Sequence, residues 1–192
     1  MQEHPILFST ENVKAILEGR KIQTRRVVKP QPRVILDLFQ HNGNAYVQTN
    51  LLERDKNLLN GCIKCPYGQV GDRLWCKETF CQVCFKKDGE RDVCYKEDLD
   101  VEHMACKLVK FTPSIFMPRW ASRITLEITG IRVQRLREIS HEDITVEGFG
   151  DGYTDIGWNY VFGQAWNKIN GKKYPWKLNP WVWCLEFKLV GK

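Results

Sequence analysis

The chain has 192 residues, 43% of them apolar and 27% charged, with a formal net charge of +6. Those proportions suit one globular domain and exclude a disordered chain, and no apolar run approaches the ~20 residues needed to span a bilayer. The first ten residues carry acid where a secretory leader carries base, so the expectation is a cytoplasmic protein whose eight cysteines serve metal binding or packing, not disulfides.

In chain order, Ser9 and Thr10 are N-cap types ahead of Val13, Ile16 and Leu17 at helical spacing, with Gly19 as the stop. A basic segment follows. Between Gly19 and Leu36 stand six basic residues (Arg20, Lys21, Arg25, Arg26, Lys29, Arg33) and no acid, while the rest of the chain is balanced at 23 of each sign. All the excess charge is therefore local, and a focused patch of this kind attracts phosphate or another anion. A solvated basic loop is the plainer alternative.

Val34 to Gln40 and Ala45 to Thr49 flank His41-Asn42-Gly43-Asn44, a hairpin signal. Gly71 to Phe80 reads as a half-buried strand, with Leu74 and Cys76 alternating with polar neighbours. Residues 81 to 110 are Cys-rich and charged, with little core-forming power. Ser122 to Leu136 is the strongest strand signal, with Thr129-Gly130 marking a bulge. Ser140 and Asp143 suggest a capping box for a helix that stops at Gly148. Gly157 to Ile169 reads as a second long helix, with Tyr160, Val161, Ala165 and Trp166 on its inner side, and Trp181 to Phe187 as an apolar closing strand. Short strands with inserted helices indicate an α+β domain around a small barrel.

Four of these segments together resemble one family. Gly19-Arg20-Lys21-Ile22-Gln23-Thr24-Arg25-Arg26 is similar to the G-x-K-x-x-T-x-R signature of ASCH domains, which are similar in fold to RNA-binding PUA domains. Gly71-Asp72-Arg73-Leu74, the helix from Ser140 to Glu147 before Gly148, and the strand from Trp183 to Phe187 resemble further family segments, in the right order. The whole chain resembles the larger ASCH-containing proteins of bacteriophages and prophages, with residues 1–192 as a single PUA-like domain and insertions at about 34–62 and 81–120. The resemblance implies a cleft lined by the basic segment. Small bacterial members are amidohydrolases that remove the acetyl group of N4-acetylcytidine, and the matching positions here are Lys21, Thr24 and Glu147. Other members are RNA-binding or ribonucleolytic, so an RNA-binding module without turnover and a ribonuclease stay open as alternatives.

Amide hydrolysis needs a nucleophile, a proton acceptor and oxyanion stabilisation. A threonine hydroxyl needs a base beside it. A lysine in a partly buried, cationic neighbourhood is pushed toward the neutral amine and can be that base. Arg20, Arg25 and Arg26 supply the cations and are the candidate substrate-binding residues, while Glu147 protonates the leaving amine or holds Lys21. Lys21 and Thr24 binding phosphate without chemistry is the alternative for the same residues. Trp75, Trp120, Trp181 and Trp183 are stacking candidates, though tryptophan on strands is more often core.

Cys62-x2-Cys65 and Cys81-x2-Cys84 superficially fit a zinc ribbon. A strand from Gly71 to Phe80 would carry the pairs roughly 30 Å apart at ~3.3 Å per residue, and the short return cannot recover that distance. The local quartet Cys81, Cys84, Cys94 and Cys106, with His103 as substitute, is the better zinc candidate, and would order a segment too polar to order itself. Cys76 and Cys184 read as packing residues.

Overall fold

In the computed structural model the structure describes residues 1–41, 44–49, 62–85, 91–98, 110–149 and 157–191. The ten strands are β1 (Glu3–Leu7), β2 (Gln23–Val27), β3 (Ile35–His41), β4 (Asn44–Thr49), β5 (Cys62–Lys64), β6 (Arg73–Lys77), β7 (Phe80–Phe85), β8 (Arg91–Tyr95), β9 (Thr125–Arg135) and β10 (Trp181–Gly191). The α-helices among them are α1 (Thr10–Leu17), α2 (His141–Val146) and α3 (Trp158–Asn170). None of these helices is long and apolar enough to cross a membrane.

The main sheet runs in the order β1-β6-β9-β10-β2, parallel between β1 and β6 and antiparallel elsewhere. Strands β3, β4 and β5 form a second sheet, and β7 pairs with β8, with an added bridge from Phe80 to Thr112. The α+β class is as expected, but the barrel is not closed by strand pairing among the described residues. Edge strands β1 and β2 meet instead through a side chain: Arg26 Nη2 on β2 donates to the Leu7 carbonyl on β1 at 2.6 Å.

From Val182 to Leu185 strand β10 is buried on both faces, which is why it reads there as a continuous apolar run. Trp183, Leu185 and Phe187 enter the core shared with α1 and the second sheet, while Val182 and Cys184 enter the core under α2 and α3. The bulge expected at Thr129-Gly130 is present: Glu186 pairs with Gly130 and Phe187 with Ile128, leaving Thr129 as the extra residue.

Helix α1 is capped by Ser9, whose side chain accepts from the Asn12 N–H, and α2 by Ser140, which accepts from the Asp143 N–H at 3.1 Å. The hairpin of β3 and β4 forms as read, though residues 42 and 43 of its turn lie outside the described residues.

Two expectations are corrected. The strand at 71–80 ends at Lys77, and Phe80 starts β7, so the Cys-rich stretch opens with fully buried Phe80 and Cys81. Phe80 anchors a third small core with Met117 and Ala121, helped by Tyr95 and Val93. On α3 the inner side is Phe162, Gly163 and Trp166, whereas Tyr160 is 62% exposed. Strands β1 and β2 are not among the elements expected from the sequence, because they carry no alternation that would mark them as strands. Four of the five residues of β2 are polar, and Gln23 and Arg25 are buried against carboxylates on α2 and its C-cap.

Candidate functional site

Strand β2 delivers its side chains to both faces of the sheet. Cross-strand neighbours in an antiparallel pair share a face. Thr24 lies opposite Leu185 and Arg26 opposite Trp183, on the α1 side, whereas Arg25 lies opposite Cys184, on the side of α2. Because β2 is the edge strand, both sets reach a cleft of about 740 Å³ that opens along it. Lys21, Thr24, Arg25, Arg26 and Glu147 all line this cleft.

Lys21 precedes the strand and forms an isolated antiparallel bridge with Glu147, the C-cap residue of α2. The Ile22 N–H donates to the Val146 carbonyl at 3.0 Å, fixing the register of the two segments. Gly148 makes the approach feasible. Its φ is +95°, and a Cβ there would lie 3.1 Å from the Ala15 Cβ and 3.2 Å from the Lys21 Cβ.

Lys21 and Glu147 are both buried. Lys21 Nζ donates to Glu147 Oε2 and to the Glu147 carbonyl oxygen, each at 2.8 Å. Arg25 Nη1 donates to the other carboxylate oxygen, Oε1, at 2.9 Å, and to Gln23 Oε1 at 2.6 Å. Its Nη2 donates to Asp143 Oδ2 at 2.6 Å, and Arg132 Nη2 donates to Asp143 Oδ1 at 2.5 Å. Arg132 also pairs with Glu186 on β10. The result is one chain of alternating charge, from Lys21 through Glu147, Arg25, Asp143 and Arg132 to Glu186.

This chain explains two oddities. A carboxylate at a helix C-terminus opposes the helix dipole, and at Glu147 that cost is offset by two cations. Asp143 completes only half of a capping box, because its carboxylate is taken by arginines instead of turning back to the cap.

Burial pushes the Lys21 ammonium below the usual lysine range, with Glu147 pulling the other way and Arg26 and Arg25 adding to the downward push. Desolvation also lowers the Arg26 guanidinium from the usual arginine value. At Asp143 burial works upward, but the hydrogen bond from Arg132 and the charge of Arg25 hold the carboxyl below its usual value.

The other predicted residues fall differently. Arg20 points away from the cleft lining, pairing with Glu18 and donating to the Gly148 carbonyl at 3.1 Å. Of the tryptophan candidates, Trp183 is core, Trp181 lies under the Arg135 guanidinium, Trp75 is neighboured by Lys77, and Trp120 is exposed; none lines the cleft. The aromatic rings that do line it are Phe8, Tyr67, Phe149, Phe162 and Trp166. Sequence reasoning did not bring these rings together because they come from four separate segments, Phe162 and Trp166 sharing α3. Lys29 and Lys64 also reach the cleft; the first was within the basic segment, the second carried no signal.

Among the described residues no group of three or more His, Cys, Asp or Glu is placed to hold a metal ion. Cys81 is buried on β7 directly opposite Cys94 on β8. Cys94 is disulfide-bonded, contrary to the expectation of thiols throughout. Cys106, His103 and the side chain of Cys84 lie outside the described residues. Cys76 and Cys184 are fully buried, as packing residues should be, and burial raises both thiols, Cys184 to about 12.

No protein-family model and no curated protein matches the chain. Two solved structures are similar to it. One is the ASCH domain from Lactobacillus crispatus JV V101, at 15% identity and a TM-score of 0.45, the match covering 100% of this chain and 81% of that one. The other is a DUF984-family protein from Enterococcus faecalis V583, at 8% identity and a TM-score of 0.44, covering 100% and 82%.

Proposed function

We propose that the cleft along β2 binds a nucleoside, free or within RNA, and hydrolyses an N-acyl amide on it, with N4-acetylcytidine as the substrate to try first. The observation that carries this reading is the buried Lys21–Glu147–Arg25 assembly on the wall of a cleft that also holds Thr24. As a neutral amine, Lys21 has two N–H bonds and one lone pair. Both N–H bonds have acceptors on Glu147, so the lone pair is left to receive a proton.

In this scheme Thr24 Oγ bonds to the acyl carbon while its proton passes to Lys21. The lysinium so formed faces the oxyanion, and then gives its proton to the departing cytosine N4 as the C–N bond breaks. Water attacks the acyl carbon of the threonine ester, losing one proton to Lys21. Lys21 passes that proton to Thr24 Oγ as the ester C–O bond breaks, and acetic acid leaves to ionise in solvent. Glu147, held by Arg25, keeps the lysine in place and does not itself carry the proton. The test is release of cytidine from N4-acetylcytidine by wild type, Lys21→Ala and Thr24→Val. Turnover by wild type that vanishes in both variants supports the reading, and a folded wild type without turnover sinks it.

A second reading, RNA binding without turnover, is favoured by the cations of the cleft that no carboxylate matches among the described residues. It predicts that affinity for a short RNA falls with salt and with Arg26→Gln, and that Thr24→Val changes nothing.

A further inference from the structure

Five cations line the cleft (Lys21, Arg25, Arg26, Lys29 and Lys64) against one carboxylate, Glu147. Lys21 and Arg25 share that carboxylate, and Arg25 has Asp143 besides. Among the described residues, no carboxylate pairs with Arg26, Lys29 or Lys64, so the unmatched charge of the cleft sits on these three.

Arg26 is the fixed member. Its Nη2 is tied to the Leu7 carbonyl, its guanidinium lies 5.1 Å from the centre of the Phe8 ring, and its Nε is buried without a hydrogen-bond partner. A guanidinium held in one orientation, partly desolvated and without a counter-ion, is costly to keep unless an anion completes it. Lys29 and Lys64 are exposed at the rim, where flexible ammonium groups add charge without demanding one geometry. The half-buried Tyr67 lines the same cleft and supplies a hydroxyl.

We propose that Arg26, with Lys29 and Lys64, forms a phosphate subsite of the cleft, so that a nucleoside phosphate is preferred over the free nucleoside. The nucleoside half rests on the function proposed above; the anion half rests on the unmatched cations alone. A phosphate presents several strong acceptor oxygens, which suits one arginine fork and two point charges. The phosphate belongs either to a mononucleotide or to an RNA chain.

The test is calorimetric titration of the full chain with cytidine, cytidine 5′-monophosphate, inorganic phosphate and a short cytidine oligonucleotide. It is repeated on Arg26→Gln and on the double variant Lys29→Gln/Lys64→Gln, whose exposed side chains leave the fold intact. The monophosphate should bind about tenfold or more tighter than cytidine at low salt. That advantage should disappear in Arg26→Gln and shrink in the double variant. Tighter binding of the oligonucleotide than of the monophosphate assigns the phosphate to RNA, and the reverse order assigns it to a mononucleotide; both support the subsite. Equal binding of cytidine and its monophosphate overturns the subsite and leaves the nucleoside reading standing. Arg26-dependent binding of phosphate and monophosphate, with no binding of cytidine and no deacetylation, upholds the subsite and overturns the nucleoside reading. Binding of none of the ligands overturns both.

Discussion

Lys21 and Glu147 stand 126 positions apart in the chain and are joined twice, through backbone pairing and through a buried ion pair in which one ammonium grips both the carboxylate and the carbonyl of the same residue. Their contact sews the β2 edge of the main sheet to the end of α2. It also places a titratable amine, held at two points, on the wall of the cleft. Structure and proposed chemistry therefore depend on the same few atoms.

Replacing Glu147 by glutamine keeps the shape and removes the charge, which leaves Lys21 and half of Arg25 without an anion in a buried place. Breaking a buried pair by one partner costs about 3–5 kcal/mol. We expect Glu147→Gln to lower the urea midpoint accordingly. Lys21→Met in the same background should recover part of the loss, because it removes the stranded charge. A Glu147→Gln variant as stable as wild type would mean that the pair is water-exposed in solution.

Gly148 occupies a backbone conformation that side chains rarely adopt and faces Ala15 and Lys21 at close range. Gly148→Ala should cost about 1–3 kcal/mol by denaturant unfolding. The loss should exceed that of Gly19→Ala, where φ is +73° but a Cβ meets nothing within 4 Å. Equal losses at the two sites would leave strain alone, without the contact, as the cause.

Asp143 sets a pH window. Its folded-state carboxyl lies below the usual aspartate value of 3.8, so the folded protein binds fewer protons there than the unfolded chain. Its stabilising contribution is complete above the unfolded value and fades as pH falls through the folded one. Urea midpoints of wild type and Asp143→Asn should therefore differ at neutral pH and converge as pH drops below about 4. A gap that stays constant into acid would contradict the ion pairs with Arg25 and Arg132.

Thr24 separates chemistry from architecture. Thr24→Val preserves volume and β-branching, so the fold and ligand affinity should be nearly unchanged while turnover falls by 10² or more, and Thr24→Ser should retain part of it. Deacetylation by Thr24→Val at the wild-type rate would move the nucleophile from the threonine to a water molecule.

The rate should also follow the state of Lys21. Burial favours its neutral form, so turnover should rise with pH along a limb that lies below the ordinary lysine value of 10.5. Substituting Arg26, one of the cations that add to this push, by glutamine should move the limb upward, and a pH-independent rate across that range would remove Lys21 as the base.

Local signals determined a good deal of this protein. Ser9 and Ser140 mark helix starts, Gly148 marks a stop, and the alternation through Ile124, Leu126 and Ile128 with the Thr129-Gly130 bulge marks β9, because each depends on neighbours a few residues away. The G-x-K-x-x-T-x-R pattern also singles out Lys21 and Thr24, and the helix that ends before Gly148 singles out Glu147. What only the tertiary structure decided is which charges cancel. In sequence Arg20, Arg25 and Arg26 look alike, yet Arg20 turns out to Glu18, Arg25 is consumed by Glu147 and Asp143, and Arg26 alone of the three is left to the cleft. The partition follows from the two-residue period of β2, which sends adjacent arginines to opposite faces, and from the packing of α2, which brings carboxylates to one of those faces only. The same packing makes a strand of β2. Its polar residues carry no hydrophobic pattern to betray it, and its burial is satisfied by partners more than a hundred positions away.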